Sequence, residues 1–149
     1  MNESFGPEEL VFMMKRLNQN LSVQLEQSLK CRDITGVQVY FLVYILRHHP
    51  EGTYLTELCS EIGVSKATLS ALIKKMREKD YLYFHEDPDD IRRKKLLPTG
   101  KLIAEGSEFL QKAGRMEKEI FSGLDQQEKT QLWELEQKLM NRFVTMEDE

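Results

Sequence analysis

Apolar residues recur at every third or fourth position through Leu10, Met13, Met14, Leu17, Leu21, Leu25 and Leu29. That spacing predicts a long helix over residues 8–30. Pro7 stands at its start, where a missing N–H does no harm. The polar stretch Arg32-Asp33-Ile34-Thr35-Gly36 predicts a loop. From Thr35 or Gly36 to about His48 the chain is largely apolar, with Val39 to Leu46 unbroken. Its β-branched and aromatic residues make a strand the competing reading, but helical neighbours on both sides favour a buried helix. His48-His49-Pro50-Glu51-Gly52 is a stop signal.

Two short helices and a change of period follow. Thr53 with Thr56 or Glu57 lies near capping-box spacing, which predicts a helix to about Ile62. Gly63 breaks it, and Ser65 caps a second helix to about Lys79 with Leu69, Leu72, Ile73 and Met76 on its inner stripe. Tyr81 to Glu86 then alternates, placing Leu82 and Phe84 on one face. Asp87-Pro88-Asp89-Asp90 is a turn, and Ile91 to Leu97 a second, basic strand, so the pair reads as a β-hairpin. Pro98 ends the hairpin and opens a helix over residues 99–122, weakened by Gly106 and Gly114. Asp125 caps a last helix from Gln126 to about Val144, whose apolar face carries Leu132, Leu135, Leu139 and Phe143.

The predicted architecture is mainly α with a small β-hairpin wing. A winged helix-turn-helix spans residues 35–98, and flanking helices span 8–34 and 99–146. Gly63 suits the sharp crossing between the two short helices. Leu58 and Cys59 would pack there against Val64, Leu69 and Leu72.

Composition fits this picture, and net charge at first contradicts it. The chain has 149 residues, 40% of them apolar, enough for one core with helical extensions. The longest apolar run is far short of the roughly 20 residues that span a bilayer. No basic and apolar leader opens the chain, so a cytoplasmic protein with reduced thiols is expected and no membrane partner. The formal net charge of −4 argues against nucleic acid. Divided by segment it does the opposite. Residues 1–63 hold 5 basic and 8 acidic side chains, net −3. Residues 64–101 hold 10 and 6, net +4, and residues 102–149 hold 6 and 11, net −5. The basic segment coincides with the second short helix and the hairpin.

The string Leu55-Thr56-Glu57-Leu58-Cys59-Ser60-Glu61-Ile62-Gly63-Val64-Ser65-Lys66-Ala67-Thr68-Leu69-Ser70 is joined by Asp87-Pro88-Asp89-Asp90-Ile91-Arg92-Arg93 and Leu96-Leu97-Pro98-Thr99-Gly100. In these strings, and in the lengths of its flanking helices, the chain resembles the MarR family of bacterial transcriptional regulators. The resemblance implies a homodimer that binds a pseudo-palindromic duplex, expected to be a repressor released by a small apolar or phenolic effector, with no cofactor. It places Ser65, Lys66, Ala67, Thr68, Ser70 and Ala71 on the groove side of the recognition helix. Lys74, Lys75 and Lys95 would meet phosphates. Asp90 and Arg92 match the Asp-x-Arg of the family's wing, whose arginine enters the minor groove, and Arg93 competes for that role. Leu10, Leu17, Leu132, Leu135, Leu139 and Phe143 would build the dimer interface. The chain departs from the family pattern at Ala71, where an arginine is common, and at Asp80, where glycine is usual. It also departs at Leu97, where a threonine is common, and its hairpin is about two residues shorter.

Other chemistry is thin. No nucleophile–base pair, phosphate loop or metal motif is present, so an enzyme is not expected. His48 and His49 are adjacent and not expected to share a helix face, and with His85 they make a poor zinc set. Cys59 reads as a small core residue and Cys31 as the better thiol for a redox sensor. Met13, Met14, Phe41, Tyr44, Phe109 and Met116 are candidates to line an effector pocket. Two alternatives stand beside the effector-released repressor. One is a redox- or metal-responsive regulator on the same scaffold, the other a winged-helix module that binds protein.

Overall fold

Side-chain oxygens set most helix starts. In the computed structural model, which describes residues 4–148 apart from the side chains at positions 90–92, α1 spans Pro7–Leu29 and α2 Gly36–His48. Thr35 Oγ1 accepts from the Gln38 N–H at 3.2 Å, while Gln38 Oε1 accepts from the Thr35 N–H at 3.0 Å. This reciprocal cap settles the apolar run 39–46 as helix. Gly36 is buried against the last turns of α1, where its N–H donates to Glu26 Oε1 at 2.7 Å. A Cβ at Gly36 would overlap the Leu25 carbonyl and the Glu26 Cα, so only glycine lets the two helices meet there.

The helix-turn-helix follows. Helix α3 spans Leu55–Ile62 and α4 spans Lys66–Glu78. Gly63 ends α3 in the left-handed conformation, φ 77°, as the sequence predicts. Ser65 Oγ accepts from the Thr68 N–H at 3.1 Å and caps α4. The start of α3 differs from expectation. Its N-cap is Tyr54, whose side chain caps nothing. Thr53 is instead drawn into the wing. Its N–H donates to the Leu96 carbonyl at 3.0 Å, and its carbonyl accepts from the Leu96 N–H at 2.7 Å.

The wing pairs β1 (Leu82–Asp87) with β2 (Asp90–Pro98) in antiparallel register, from Leu82 opposite Pro98 to Glu86 opposite Lys94. The next pair is Asp87 with Asp90, so residues 91–93 have no partner across the ladder and form a bulge. The expected plain strand from Ile91 is therefore interrupted. Pro98 lies within β2, where its missing N–H breaks no ladder bond on an edge. Asp80 turns the chain from α4 into β1 at φ 65°. Thr99 Oγ1 donates to the Asp80 carbonyl at 2.7 Å and accepts from the Leu102 N–H at 3.2 Å, closing the wing's base onto α5 (Gly100–Ile120).

The chain divides into two compact units, with the boundary inside α5 at Gly114. The first unit holds a continuous core, with Leu29, Ile34, Val39, Leu42, Ile45, Leu58, Leu69, Met76, Leu82, Leu96, Leu102 and Phe109 fully buried. Gly106 belongs to that packing, because a Cβ there would lie 2.9 Å from Leu46 Cδ1. Val64, expected in the core, stays 36% exposed at the turn, and Cys59 is half-buried. In the second unit α6 (Gln126–Glu147) is capped by Asp125, which accepts from the Glu128 N–H at 2.8 Å. None of its residues is buried, and Leu132, Trp133, Leu135, Leu139, Met140 and Phe143 are exposed.

Two substitutions test this construction in urea unfolding. Gly36→Ala is expected to destabilise by about 3 kcal/mol or more, because the obstruction is backbone and cannot yield. Asp80→Gly is expected to stabilise by about 0.5–1 kcal/mol, because glycine holds a positive φ without the Cβ clash.

Candidate nucleic-acid interface

Helix α4 presents two unlike faces. Leu69, Ile73 and Met76 are buried, and Leu72 is half-buried. Ser65, Lys66, Ala67, Thr68, Ser70, Ala71, Lys74 and Lys75 are all exposed. Ser65 Oγ also donates to Thr68 Oγ1 at 2.8 Å, so the two hydroxyls at the helix start are paired with each other.

The ten cations of residues 64–101 divide by what they touch. Lys79 Nζ donates to Asp33 Oδ2 at 2.7 Å and to the Asp33 carbonyl at 3.0 Å. That bond, more than any other effect, holds the Asp33 carboxyl below the usual carboxylate range. The Arg77 guanidinium lies 4.7 Å from the Phe84 ring centre, and Lys101 Nζ 4.4 Å from that of Tyr81. Arg93 lies 3.9 Å from the centre of the Tyr54 ring. The Lys95 stem covers Gly52, where a Cβ would come within 2.6 Å of Lys95 Cε. Among the described residues Lys66, Lys74, Lys75 and Lys94 enter no ion pair. The Asp90 and Arg92 side chains lie outside the described residues.

Behind α4 is a cavity of about 490 Å³. Leu25 of α1 lines it, with Val37, Tyr40, Phe41, Val43, Tyr44, Arg47 and His48 of α2. Glu61, Ile62, Val64, Thr68, Leu69 and Leu72 complete the wall. Of the expected pocket residues, Phe41 and Tyr44 are there. Met13 and Met14 are exposed on α1, Phe109 packs on Tyr81 with ring centres 6.1 Å apart, and Met116 belongs to the second unit. The period that selected them is the period of any helix face, and it does not separate core from cavity.

Glu61 gathers the polar groups at this cavity. Tyr44 Oη donates to Glu61 Oε1 at 3.0 Å, and His49 Nε2 lies 2.6 and 3.0 Å from the two carboxylate oxygens. The histidine bond is the chief reason the Glu61 carboxyl sits below its ordinary range. Burial, and then the bond to Glu61, push the Tyr44 hydroxyl up. Both His48 and His49 flank Tyr44, with ring centres 4.6 and 6.0 Å away. They were not expected on one face. His49 reaches it because it follows the end of α2 at φ −138°, outside helical geometry. Among the described residues no three His, Cys, Asp or Glu gather as a metal set.

The sequence profile of the MarR family matches residues 32–93, from the loop before α2 into the wing. Solved structures share the fold over almost the whole chain. The Staphylococcus aureus MepR–DNA complex is 22% identical with TM-score 0.81, covering 94% of this chain and 99% of that one. The transcription regulator MarR of Oenococcus oeni is 23% identical with TM-score 0.77, covering 89% and 98%. Bordetella bronchiseptica BpsR, solved in work on how 6-hydroxynicotinic acid regulates its DNA binding, is 20% identical with TM-score 0.75, covering 89% and 98%. A search among curated proteins matches none. The winged helix-turn-helix of this chain matches the MarR family over residues 32–93.

Sequence reasoning missed three residues of this MarR winged helix. Tyr54 was passed over, although an aromatic at an N-cap is itself a signal, since Ser, Thr, Asp and Asn are preferred there. Glu61 and His49 are too far apart in sequence for any spacing rule to join them. Their bond has a pH signature. A carboxyl lowered on folding stabilises above its unfolded value, near 4.3. That contribution is lost as pH falls through the lowered folded value. Glu61→Gln is therefore expected to lose less stability than the wild type between about pH 5 and pH 3, read from urea midpoints. Equal losses would sink the role given to the His49–Glu61 bond.

Proposed function

We propose that the chain is a homodimeric transcription regulator that binds a pseudo-palindromic DNA duplex through α4 and the wing, acting in the cytoplasm as a repressor released by a small apolar or phenolic effector. The observation that carries this reading is the outer face of α4. Its other face is buried in the core, while Lys66, Lys74 and Lys75 stand exposed with no anionic partner among the described residues. A rigid helix with unpaired cations flanking small residues suits entry into a major groove. Ser65, Lys66, Ala67, Thr68, Ser70 and Ala71 would face base edges, and Lys74, Lys75, Lys94 and Lys95 phosphates. Arg92 would enter the minor groove, with Asp90 shaping the turn before it. The MepR–DNA complex supports duplex DNA as the partner of this fold.

The dimer rests on apolar surface. Leu10 and Leu17 of α1 are exposed, as are Leu132, Leu135, Leu139 and Phe143 of α6. Residues 8–34 and 99–146 would supply the interface, and 35–98 the reading head. Two recognition helices related by a two-fold would meet half-sites roughly 34–36 Å apart.

The effector reading rests on the cavity. Its volume lies in the range of small-molecule sites, and Tyr40, Phe41 and Tyr44 offer ring faces among its aliphatic walls. The BpsR structure, concerned with an aromatic acid, supports this class of ligand. Thr68, Leu69 and Leu72 belong to both the cavity wall and α4. An occupant could therefore favour one placement of the recognition helix over another, by its differential affinity for the two.

Fluorescence anisotropy tests the DNA reading, on a labelled duplex drawn by the protein from a random pool. Four phosphate-facing lysines in each of two protomers predict a slope of log K against log salt near about −7. Lys74→Ala or Lys75→Ala should each reduce its magnitude by about 2, because a dimer carries the change twice. Thr68→Ala should relax sequence preference and leave the slope alone. A salt-independent affinity would sink the reading.

A further inference from the structure

We propose that Tyr54 is a positioning residue for the wing, and that Arg93 is the strut it holds rather than a DNA contact. The inference rests on the DNA-binding reading above. Three independent features of the chain converge on it.

Arg93 sits in the bulge of β2. Residues 91–93 have no partner across the ladder, so strand pairing does not fix where that segment points. Something else must, if the wing is to present a defined surface. The Arg93 guanidinium lies 3.9 Å from the centre of the Tyr54 ring, well within cation–π range. Tyr54 in turn is the N-cap of α3, and its ring makes no capping bond. The adjacent Thr53 is bonded in both directions to Leu96 of the same strand. The tyrosine's backbone is thus anchored next to the wing's root, and its ring reaches the unpaired part of the strand. The hydroxyl of Thr53, the other candidate cap, donates to Glu57 Oε2 at 3.2 Å. A polar residue at position 54 would cap α3 better, and the aromatic one serves the arginine.

The two wing arginines, equivalent in sequence, then have different tasks. Arg93 spends its guanidinium face on the ring and sets the placement of the bulge. Arg92 is left to read the groove. The Lys95 stem and the Leu97 side chain lie over Gly52 and brace the wing's root on both sides of Leu96, and the Lys95 ammonium stays available to a phosphate.

The test is a double-mutant cycle on the full chain, read by anisotropy with the duplex selected from the random pool. An exposed cation–π pair corresponds to about two- to fivefold in affinity. Tyr54→Ala and Arg93→Ala should each weaken binding by about that factor. The double variant should be no weaker than the weaker single, and Tyr54→Phe should bind like the wild type. The salt slope should hold in all of them. In the free protein, NMR should show the Arg93 side-chain protons shifted upfield by the ring, an effect that Tyr54→Ala abolishes. An Arg93→Ala slope reduced by about 2, with Tyr54→Ala binding normally, would make Arg93 a phosphate contact and overturn the proposal. Loss of affinity in Tyr54→Phe would make the hydroxyl the acting group and overturn it as well. If the wild type binds no duplex while the upfield shift is present, the DNA reading has failed and takes the positioning role with it.

Discussion

Everything outward of the core depends on one backbone pairing. Thr53, only 1% exposed, exchanges both its N–H and its carbonyl with Leu96, which is wholly buried. Two buried amide bonds made together are costly to lose, because each orphaned group would have to be desolvated alone. The pairing joins the strand that leads to the wing tip with the residue that starts the helix-turn-helix. Gly52, at φ 108°, lets the chain turn into it, and the side chains of Lys95 and Leu97 close over that glycine. Without the pair, β2 would lose the two backbone bonds that join it to the chain before α3 and keep its own hairpin, the Thr99–Asp80 bond and side-chain contacts such as Arg93 on Tyr54. With it, the wing and the start of the helix-turn-helix share one hydrogen-bonded frame.

That frame explains how a chain of net charge −4 keeps a usable basic surface. Cations whose position matters to the fold are spent on fixed partners: Lys79 on Asp33, Arg77 on Phe84, Lys101 on Tyr81 and the Lys79 carbonyl, Arg93 on Tyr54. Exposed pairs of this kind contribute only about 0.5–1 kcal/mol each, so they orient more than they stabilise. Among the described residues of the segment 64–101, Lys66, Lys74, Lys75 and Lys94 have no ion pair or ring partner, and they lie on α4 and the middle of β2. A count of the ten basic residues overstates that surface, and the net charge hides it altogether.

Much of the fold was legible because local chemistry and the global fold agree. Ser65 and Asp125 cap the helices they were expected to cap, Gly63 takes the positive φ its position asks for, and Asp80 takes the one that glycine usually fills. The apolar stripe of α4 is the buried stripe. The failures share a different cause. Thr53 has the composition of an N-cap and is overruled by a tertiary backbone bond, which no local pattern contains. The bulge at 91–93 leaves alternation intact in the sequence while removing it from the ladder. Only Phe41 and Tyr44 of the expected pocket residues line the cavity, because a wall needs several helices at once. Helical period could find the inward face of α2, but not that Glu61 and His49 close over Tyr44 beside it. The exposed leucines of α1 and α6 lie on the stripes that the sequence marks as richer in leucine than a small domain needs.

The same helix carries both surfaces that matter to the proposed regulator. Lys74 and Lys75 face outward, and Leu69 and Leu72 face inward, the latter pair also lining the cavity. At its start, Ser65 and Thr68 are joined by two hydrogen bonds, and Thr68 borders the cavity. A ligand in that space would lie one side chain away from groups that would meet bases. Coupling between effector and DNA then needs no long pathway. It needs only that the cavity's size differ between the helix placements that bind DNA and those that do not. Couplings of about 1–3 kcal/mol are typical of such linkage. In a dimer that coupling would enter twice, because each half-site would depend on its own α4. Hydrogen bonds from Tyr44 and His49 to Glu61 tie α2 to the end of α3 at the cavity's edge.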